Sequence, residues 1–191
     1  CQPLAAIATT PKAAALLSPL CSALGAELWV PESLGHLAQV QTYTGALKDH
    51  LPSLWTTHQG LIFGLASGAV VRLIAPLLGH KTEDPAVVVV DEAGQYAISL
   101  CSGHLGGADA LARCVAVALN GTPIVTGASA AAHLPSLDGL GTPFGWKRGN
   151  GDWNQVSAVV AHAKPVLVQQ DAGTELWRMG LPTEHPYRFE A

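Results

Sequence analysis

Short apolar runs alternate with stretches of helical periodicity through most of the chain. Residues 4 to 9 (LAAIAT) read as a buried strand, after which Thr10-Pro11 supplies an N-cap and a favoured first helical residue. Ala13, Leu16, Leu17, Leu20, Cys21 and Leu24 keep the spacing of one buried helical face, and Gly25 ends it. A second strand follows at 26–30, then a weakly patterned loop with a short helical turn between Pro31 and Gly45. Helical spacing returns over 45–57 through Leu47, Leu51, Leu54 and Trp55. GLIFGLA (60–66) reads as a strand. Ser67-Gly68 then opens a helix with Val70, Val71, Ile74, Leu77 and Leu78 inside, terminated near Pro76.

The polar loop 79–85 leads to AVVVVD (86–91), a continuous β-branched run suited to a central strand buried on both faces. Four residues, 92–95, separate it from YAISL. That is too short for a parallel crossover, so this strand must return antiparallel as a hairpin. A glycine-rich loop, Cys101 to Gly107, precedes a helix with Ala108, Leu111, Ala112, Val115 and Leu119 inside. Asn120-Gly121 stops that helix, and a last strand occupies 122–127. The pattern predicts an α/β fold: a mostly parallel open sheet with flanking helices and one antiparallel hairpin strand in residues 1–132. A smaller α/β unit follows over 133–191, with a helix from Trp153 to Ala163 and a strand at 165–170.

Composition narrows the class. Of 191 residues, 49% are apolar and 13% charged, which excludes a disordered chain. No apolar run approaches the roughly eighteen residues of a membrane span, so a soluble, cytoplasmic protein is expected. The formal charge of −4, with Lys and Arg scattered, argues against a nucleic-acid partner. Cys1, Cys21, Cys101 and Cys114 show no CxxC pairing, as in a reduced compartment, and Cys21 and Cys114 are assigned to the core. His50 and His58, eight residues apart, are assigned to solvent. Beginning at Cys1 and not at Met, the chain reads as a fragment.

Candidate chemistry gathers between Asp84 and Ala112. The loop SGHLGG, between a strand and a helix start, leaves backbone N–H groups to hold an anion. Its spacing is not GxGxxG and it lacks GK[ST], so a dinucleotide or phosphate loop is disfavoured, and no GxSxG elbow surrounds Ser102 or Ser67. Asp91-Glu92 offers a general base at a strand end, and His104 an acid, a base or a metal ligand. Arg72, near a strand-to-helix turn, is either a ligand-facing cation or a solvated one.

The block GLASGAVVRLIAPLLGHKTEDPAVVVVDEAGQYAISLCSGHLGGADALA resembles the N-terminal domain of the cobalt-precorrin-5A hydrolase family, the CbiG proteins of anaerobic cobalamin biosynthesis. IATTPKAAALL is similar to that family's first strand and helix, and GTPFGWKRGNGDWNQVSAVVAHAKPVLV to its middle domain. Three departures stand out. TGASAAAH lacks the Thr-Ala-Thr-Asp type of sequence common after the last strand, Asp109 replaces a frequent asparagine, and the usual C-terminal domain is not among these residues.

The resemblance implies opening of the ring-A δ-lactone of cobalt-precorrin-5A by water, with release of acetaldehyde to give cobalt-precorrin-5B. The roles that this chemistry asks for are assigned as expectations. Glu92 and His104 handle protons, while Ser102, Gly103, Gly106 and Gly107 line the substrate loop, with the Gly106 and Gly107 N–H groups facing an oxyanion or acetate arm. Arg72 and Lys81 grip peripheral carboxylates. No protein-held metal or cofactor is expected, cobalt arriving with the corrinoid. Candidate partners are that cobalt-corrinoid intermediate, a fused or neighbouring enzyme of the pathway, and a second copy of the chain. The alternative is a non-catalytic tetrapyrrole-binding module of a larger protein.

Overall fold

The fold is described from a computed structural model, over residues 2–80, 83–104, 106–127, 134, 137, 140, 144–147 and 149–190. Contacts divide the chain into two units, Cys1–Val125 and Thr126–Ala191.

The first unit holds β1 (Leu4–Ala8), α1 (Pro11–Leu24), β2 (Glu27–Pro31), β3 (Val40–Tyr43), α2 (Leu47–Thr57), β4 (Gly60–Gly64) and α3 (Ser67–Ile74). It continues with β5 (Ala86–Val90), β6 (Tyr96–Cys101), α4 (Ala108–Leu119) and β7 (Thr122–Ile124). The sheet runs β3-β2-β1-β4-β5-β6-β7. Every neighbouring pair is parallel except β5 with β6, which pair antiparallel from Val87↔Cys101 to Val90↔Ala97. This is the mostly parallel α/β sheet with one hairpin reversal that the hydrophobic pattern predicts.

Two apolar cores follow from the two-residue period of the strands. Leu4, Ala6, Ala8, Ile62, Val88 and Val90 pack on one face with α1 and α4. Ala5, Ile7, Leu61, Phe63, Val87 and Val89 pack on the other with α2 and α3. A strand covered on both faces has no polar side to show, which is why β5 reads as unbroken valine. Helix α1 begins as its sequence predicts: Thr10 Oγ1 accepts the N–H of Ala13 at 3.1 Å, and Gly25 closes the helix at φ +64°.

Several local expectations need correction. The stretch 31–45 contains β3 as well as the 3-10 turn Glu32–Leu34. Its Val-Gln-Thr-Tyr is an edge strand, exposed along one side, so no apolar run announces it. Cys114 is exposed, on the outer side of α4 with Val117. Val71 and Leu78 are likewise exposed; of α3, Val70 and Ile74 are buried against the sheet and Leu73 packs at its margin. His50 does not face solvent freely: its ring lies 4.7 Å from that of Trp29 and 5.4 Å from that of Tyr43. The His58 side chain is largely buried, with Nε2 3.5 Å from Glu27.

In the second unit, α5 (Trp153–Ala161) is capped by Asp152, whose Oδ1 accepts the N–H of Gln155 at 2.9 Å. β8 (Val166–Val168) pairs in parallel with β9 (Tyr187–Phe189). Leu134, Val160 and Tyr187 form the core, flanked by Val166, Val168, Leu181 and Phe189. The Trp177 ring stands edge-on to Tyr187 and Phe189.

Burial pushes the Cys21 thiol up from 9.0 to about 11. The unfolded chain therefore loses this proton first, so the stabilisation is complete below pH 9.0 and is lost as pH rises to about 11. The expected loss from this group by pH 10.5 is about 1–2 kcal/mol. Urea unfolding of the wild type and Cys21→Ala between pH 8 and 10.5 measures it; the variant should show the shallower decline.

Candidate functional site

The reversal of β6 sets the geography of the site. Asp91 makes the turn: its Oδ1 accepts the N–H of Tyr96 at 2.6 Å, its Oδ2 that of Ala93 at 3.2 Å, and Gly94 takes φ +69°. Asp91 is thus a turn residue. Glu92 next to it forms a 3.3 Å ion pair with Lys12, both side chains two-thirds exposed. Arg72 folds back along its own helix, Nη1 donating to the carbonyl of Gly68 at 2.7 Å. Glu92 and the first turn of α3 both stand at the carboxyl end of the parallel strands.

The glycine loop stands at the other end. Since β6 runs against β5, its carboxyl end lies beside the start of β5, and Ser102 to Gly107 emerge there. Val87, opposite Cys101, and Asp91 are separated by about 13 Å of extended strand. Glu92 and His104 therefore do not share one site, contrary to the expectation of a common substrate-facing edge.

The loop is tightly wound. Ser102 takes φ +58° and Gly107 φ +84°. The N–H groups of Gly107, Ala108 and Asp109 donate to the carbonyls of His104, Ser102 and Gly103 at 3.2, 3.1 and 3.0 Å. The Gly107 N–H is accordingly spent inside the loop and does not face an oxyanion. Two glycines allow close approach and nothing larger: a Cβ on Gly103 would lie 2.7 Å from Asp109 Oδ1, and one on Gly106 would overlap the Ser102 side chain and lie 2.8 Å from its carbonyl oxygen. The Ser102 hydroxyl points at Cys101 Sγ, 3.8 Å away.

Asp109, on the first turn of α4, organises what remains. Its Oδ1 accepts the Ser99 hydroxyl at 2.6 Å and its Oδ2 lies 3.3 Å from His104 Nδ1. Asp109 is mostly buried, whereas about a third of the His104 side chain is exposed. An imidazole held through Nδ1 has a fixed orientation, which suits a group that transfers protons. Sequence reasoning named His104 and noted Asp109 as a departure from the family pattern, but gave Asp109 no role and passed over Ser99. The available signal was the side-chain spacing across a strand end and the following helix start, which becomes contact only when the loop between them closes.

Beside the loop a cavity of about 720 Å³ opens at the amino ends of β1, β4 and β5, lined among others by Pro3, His58, Gln59, His80, Asp84 and Gly106. Asp84 is the buried charged residue of the described part of the chain, and its carboxylate accepts the Gly79 N–H at 3.0 Å. The carbonyl of Asp84 lies 3.2 Å from where a Gly106 Cβ would stand, so the glycine loop and the loop before β5 meet at this wall. Lys81 lies outside the described residues, as does most of TGASAAAH. Among the described residues no group of three metal-ligating side chains converges, and no helix is long and apolar enough to cross a membrane.

Comparison with known proteins adds a second line of evidence. The Cobalamin synthesis G N-terminal family matches residues 49–130, and the Cobalamin biosynthesis central region matches residues 135–189. A cobalt-precorrin-5A hydrolase of Priestia megaterium is 42% identical over 139 residues, 72% of this chain and 37% of that protein. The protein of the same name from Salmonella typhimurium is 38% identical over 139 residues, 73% of this chain and 39% of its own length. The chain thus spans less than two-fifths of these relatives. A crystal structure of a cobalamin biosynthesis protein G homolog from Sulfolobus solfataricus superposes with a TM-score of 0.50 at 22% identity, covering 89% of this chain and 49% of that one. The last likeness concerns the fold.

The crowding at the glycine loop is directly testable. Gly106→Ala should lose about 1–3 kcal/mol of stability, as expected when a methyl group is forced against backbone and a packed side chain. Urea unfolding compared with the wild type reads this.

Proposed function

The chain belongs to the cobalamin synthesis G family, and from that premise we propose that it supplies the lactone-opening site of a cobalt-precorrin-5A hydrolase. The observation that carries the reading is the 42% identity to a protein of that name across most of this chain. The amino-end site supplies the chemistry such a reaction needs. A cobalt-corrinoid is the substrate, and its cobalt enters and leaves with it, the protein contributing no metal of its own.

In the proposed reaction, water adds to the lactone carbonyl and the ring C–O bond breaks, leaving a carboxyl group and a hydroxyl on the methyl-bearing bridge carbon. Removal of that hydroxyl proton lets the oxygen form the carbonyl of acetaldehyde as the carbon–carbon bond breaks, the bonding pair passing into the conjugated macrocycle. Both stages ask for a proton acceptor. His104 fills the role, its Nδ1 edge held by Asp109. The family's frequent asparagine at position 109 keeps an oxygen for the Ser99 hydroxyl, so what the two side chains share is the placement of the loop. Gly106 belongs to the wall on which the ring edge rests, and Ser102 and Gly103 pack behind it to hold the loop. Lys81, which follows His80 in the sequence, is the candidate for a peripheral carboxylate. Glu92, paired with Lys12 at the far end of the strands, and Arg72 take no part in the proton transfers. The reading places the protein in the cytoplasm, beside or fused to other enzymes of the pathway.

The test is acetaldehyde release from cobalt-precorrin-5A. His104→Ala should lower the rate by about 10²–10⁴-fold with substrate binding retained, whereas Glu92→Gln should stay near wild type. A full rate in His104→Ala would move the site elsewhere. Binding with no acetaldehyde from the wild-type chain would instead support a tetrapyrrole-binding module. A stoichiometric metal in chelator-washed protein would count against cobalt belonging to the substrate alone.

A further inference from the structure

Ser99 is a polar side chain in an apolar row. It lies two residues beyond buried Ala97 in β6 and opposite Val88 in β5, on the face of the sheet that α4 covers. A half-buried hydroxyl in that row needs a partner, and it finds Asp109 Oδ1 at 2.6 Å, the short contact of a hydroxyl hydrogen given to a carboxylate. Asp109 is itself mostly buried. Its room comes from Gly103, where a Cβ would stand 2.7 Å from Oδ1 and 3.2 Å from Oδ2. A strand, a loop and a helix start therefore each contribute a residue whose chemistry fits one carboxylate.

The second oxygen of that carboxylate decides something about His104. A carboxylate only accepts hydrogen bonds, and Oδ1 has taken the Ser99 hydrogen, so Oδ2 is the atom that faces His104 Nδ1 at 3.3 Å. A lone pair on Nδ1 would be repelled there, whereas a hydrogen is attracted. The separation is long for a hydrogen bond, as contacts of this kind often are before a substrate is in place. A neutral imidazole carries one ring hydrogen. With that hydrogen on Nδ1, the basic lone pair lies on Nε2.

We propose that Ser99 and Asp109 are positioning residues that keep the ring hydrogen of His104 on Nδ1, so that Nε2 is the atom that accepts protons in the reaction. The last clause rests on the reading of His104 as the proton acceptor, whereas the placement of the hydrogen does not. A carboxylate that only braced the loop would leave the choice of nitrogen to solvent, where an imidazole favours its hydrogen on Nε2.

Long-range proton–nitrogen NMR spectra of the nitrogen-15-labelled chain read that choice directly, the His104 signals being those lost in His104→Ala. At the neutral limit of its titration, wild-type His104 should show a hydrogen on Nδ1 and none on Nε2. Ser99→Ala should shift the hydrogen toward Nε2, and Ser99→Thr, which keeps the hydroxyl, should return it. Acetaldehyde release should follow: kcat about tenfold lower in Ser99→Ala with KM unchanged, the worth of one hydrogen bond, and recovered in Ser99→Thr. Ser99→Ala removes a single oxygen, and urea unfolding verifies that it folds. A hydrogen on Nε2 in the wild type, or an unchanged tautomer in Ser99→Ala, overturns the proposal whatever the rates. An unchanged kcat in Ser99→Ala beside an impaired His104→Ala overturns the link between tautomer and reaction. A full rate in His104→Ala overturns instead the reading of His104 as proton acceptor, and the NMR result then decides the placement of the hydrogen alone.

Discussion

The reversal at Asp91 is the interaction on which the candidate site depends. One carboxylate receives the N–H groups of Ala93 and Tyr96, and with Gly94 in the left-handed region it turns the chain back along β5 within a few residues. Had β6 run parallel to its neighbour, SGHLGG would have emerged at the carboxyl ends of the strands, where open α/β sheets usually bind ligands. Instead it emerges at the amino ends, beside the loop that carries Asp84. The acidic pair Asp91-Glu92 serves the turn and a surface ion pair with Lys12, a strand's length away from the glycine loop.

The glycines of the loop then have a physical role different from that of a phosphate cradle. Their missing side chains let Asp109 approach Gly103 and let Ser102 pack on Gly106, while several loop N–H groups are consumed in closing the turn. What the loop presents is a side chain, His104, fixed from behind by Asp109, which is in turn fixed by Ser99. Buried Asp84 and Gly106 both line the neighbouring 720 Å³ cavity at the amino ends of the strands. This is an arrangement suited to directing a proton, more than to gripping a polyanion by its backbone.

The second unit is built differently. Its parallel pair β8 and β9 is short, and its stability rests on aromatic contacts among Trp177, Tyr187 and Phe189, with the Arg178 guanidinium 4.1 Å over the Phe189 ring. Aromatic side chains supply much contact area per residue, which a unit of this size needs.

The alternation of strands and helices outside 31–45, the burial of β5 on both faces, the Thr10 and Gly25 caps and the hairpin reversal were legible in the sequence. Each follows from local periodicity, from a capping residue or from a connection too short to cross over. His104 was legible as a residue of interest because it interrupts a glycine run. The edge strand β3 was not, since half-exposed strands carry no apolar run, nor was the exposure of Cys114, because α4 is apolar on more sides than it buries. Which residues meet was decided only in three dimensions. Glu92 and His104, twelve apart in the chain, are parted by the length of a strand pair, while Ser99 and Asp109 are joined by a 2.6 Å hydrogen bond because the loop between them folds back. Sequence periodicity fixes which face of an element is buried, but the direction in which a strand runs through the sheet fixes which end its loops reach.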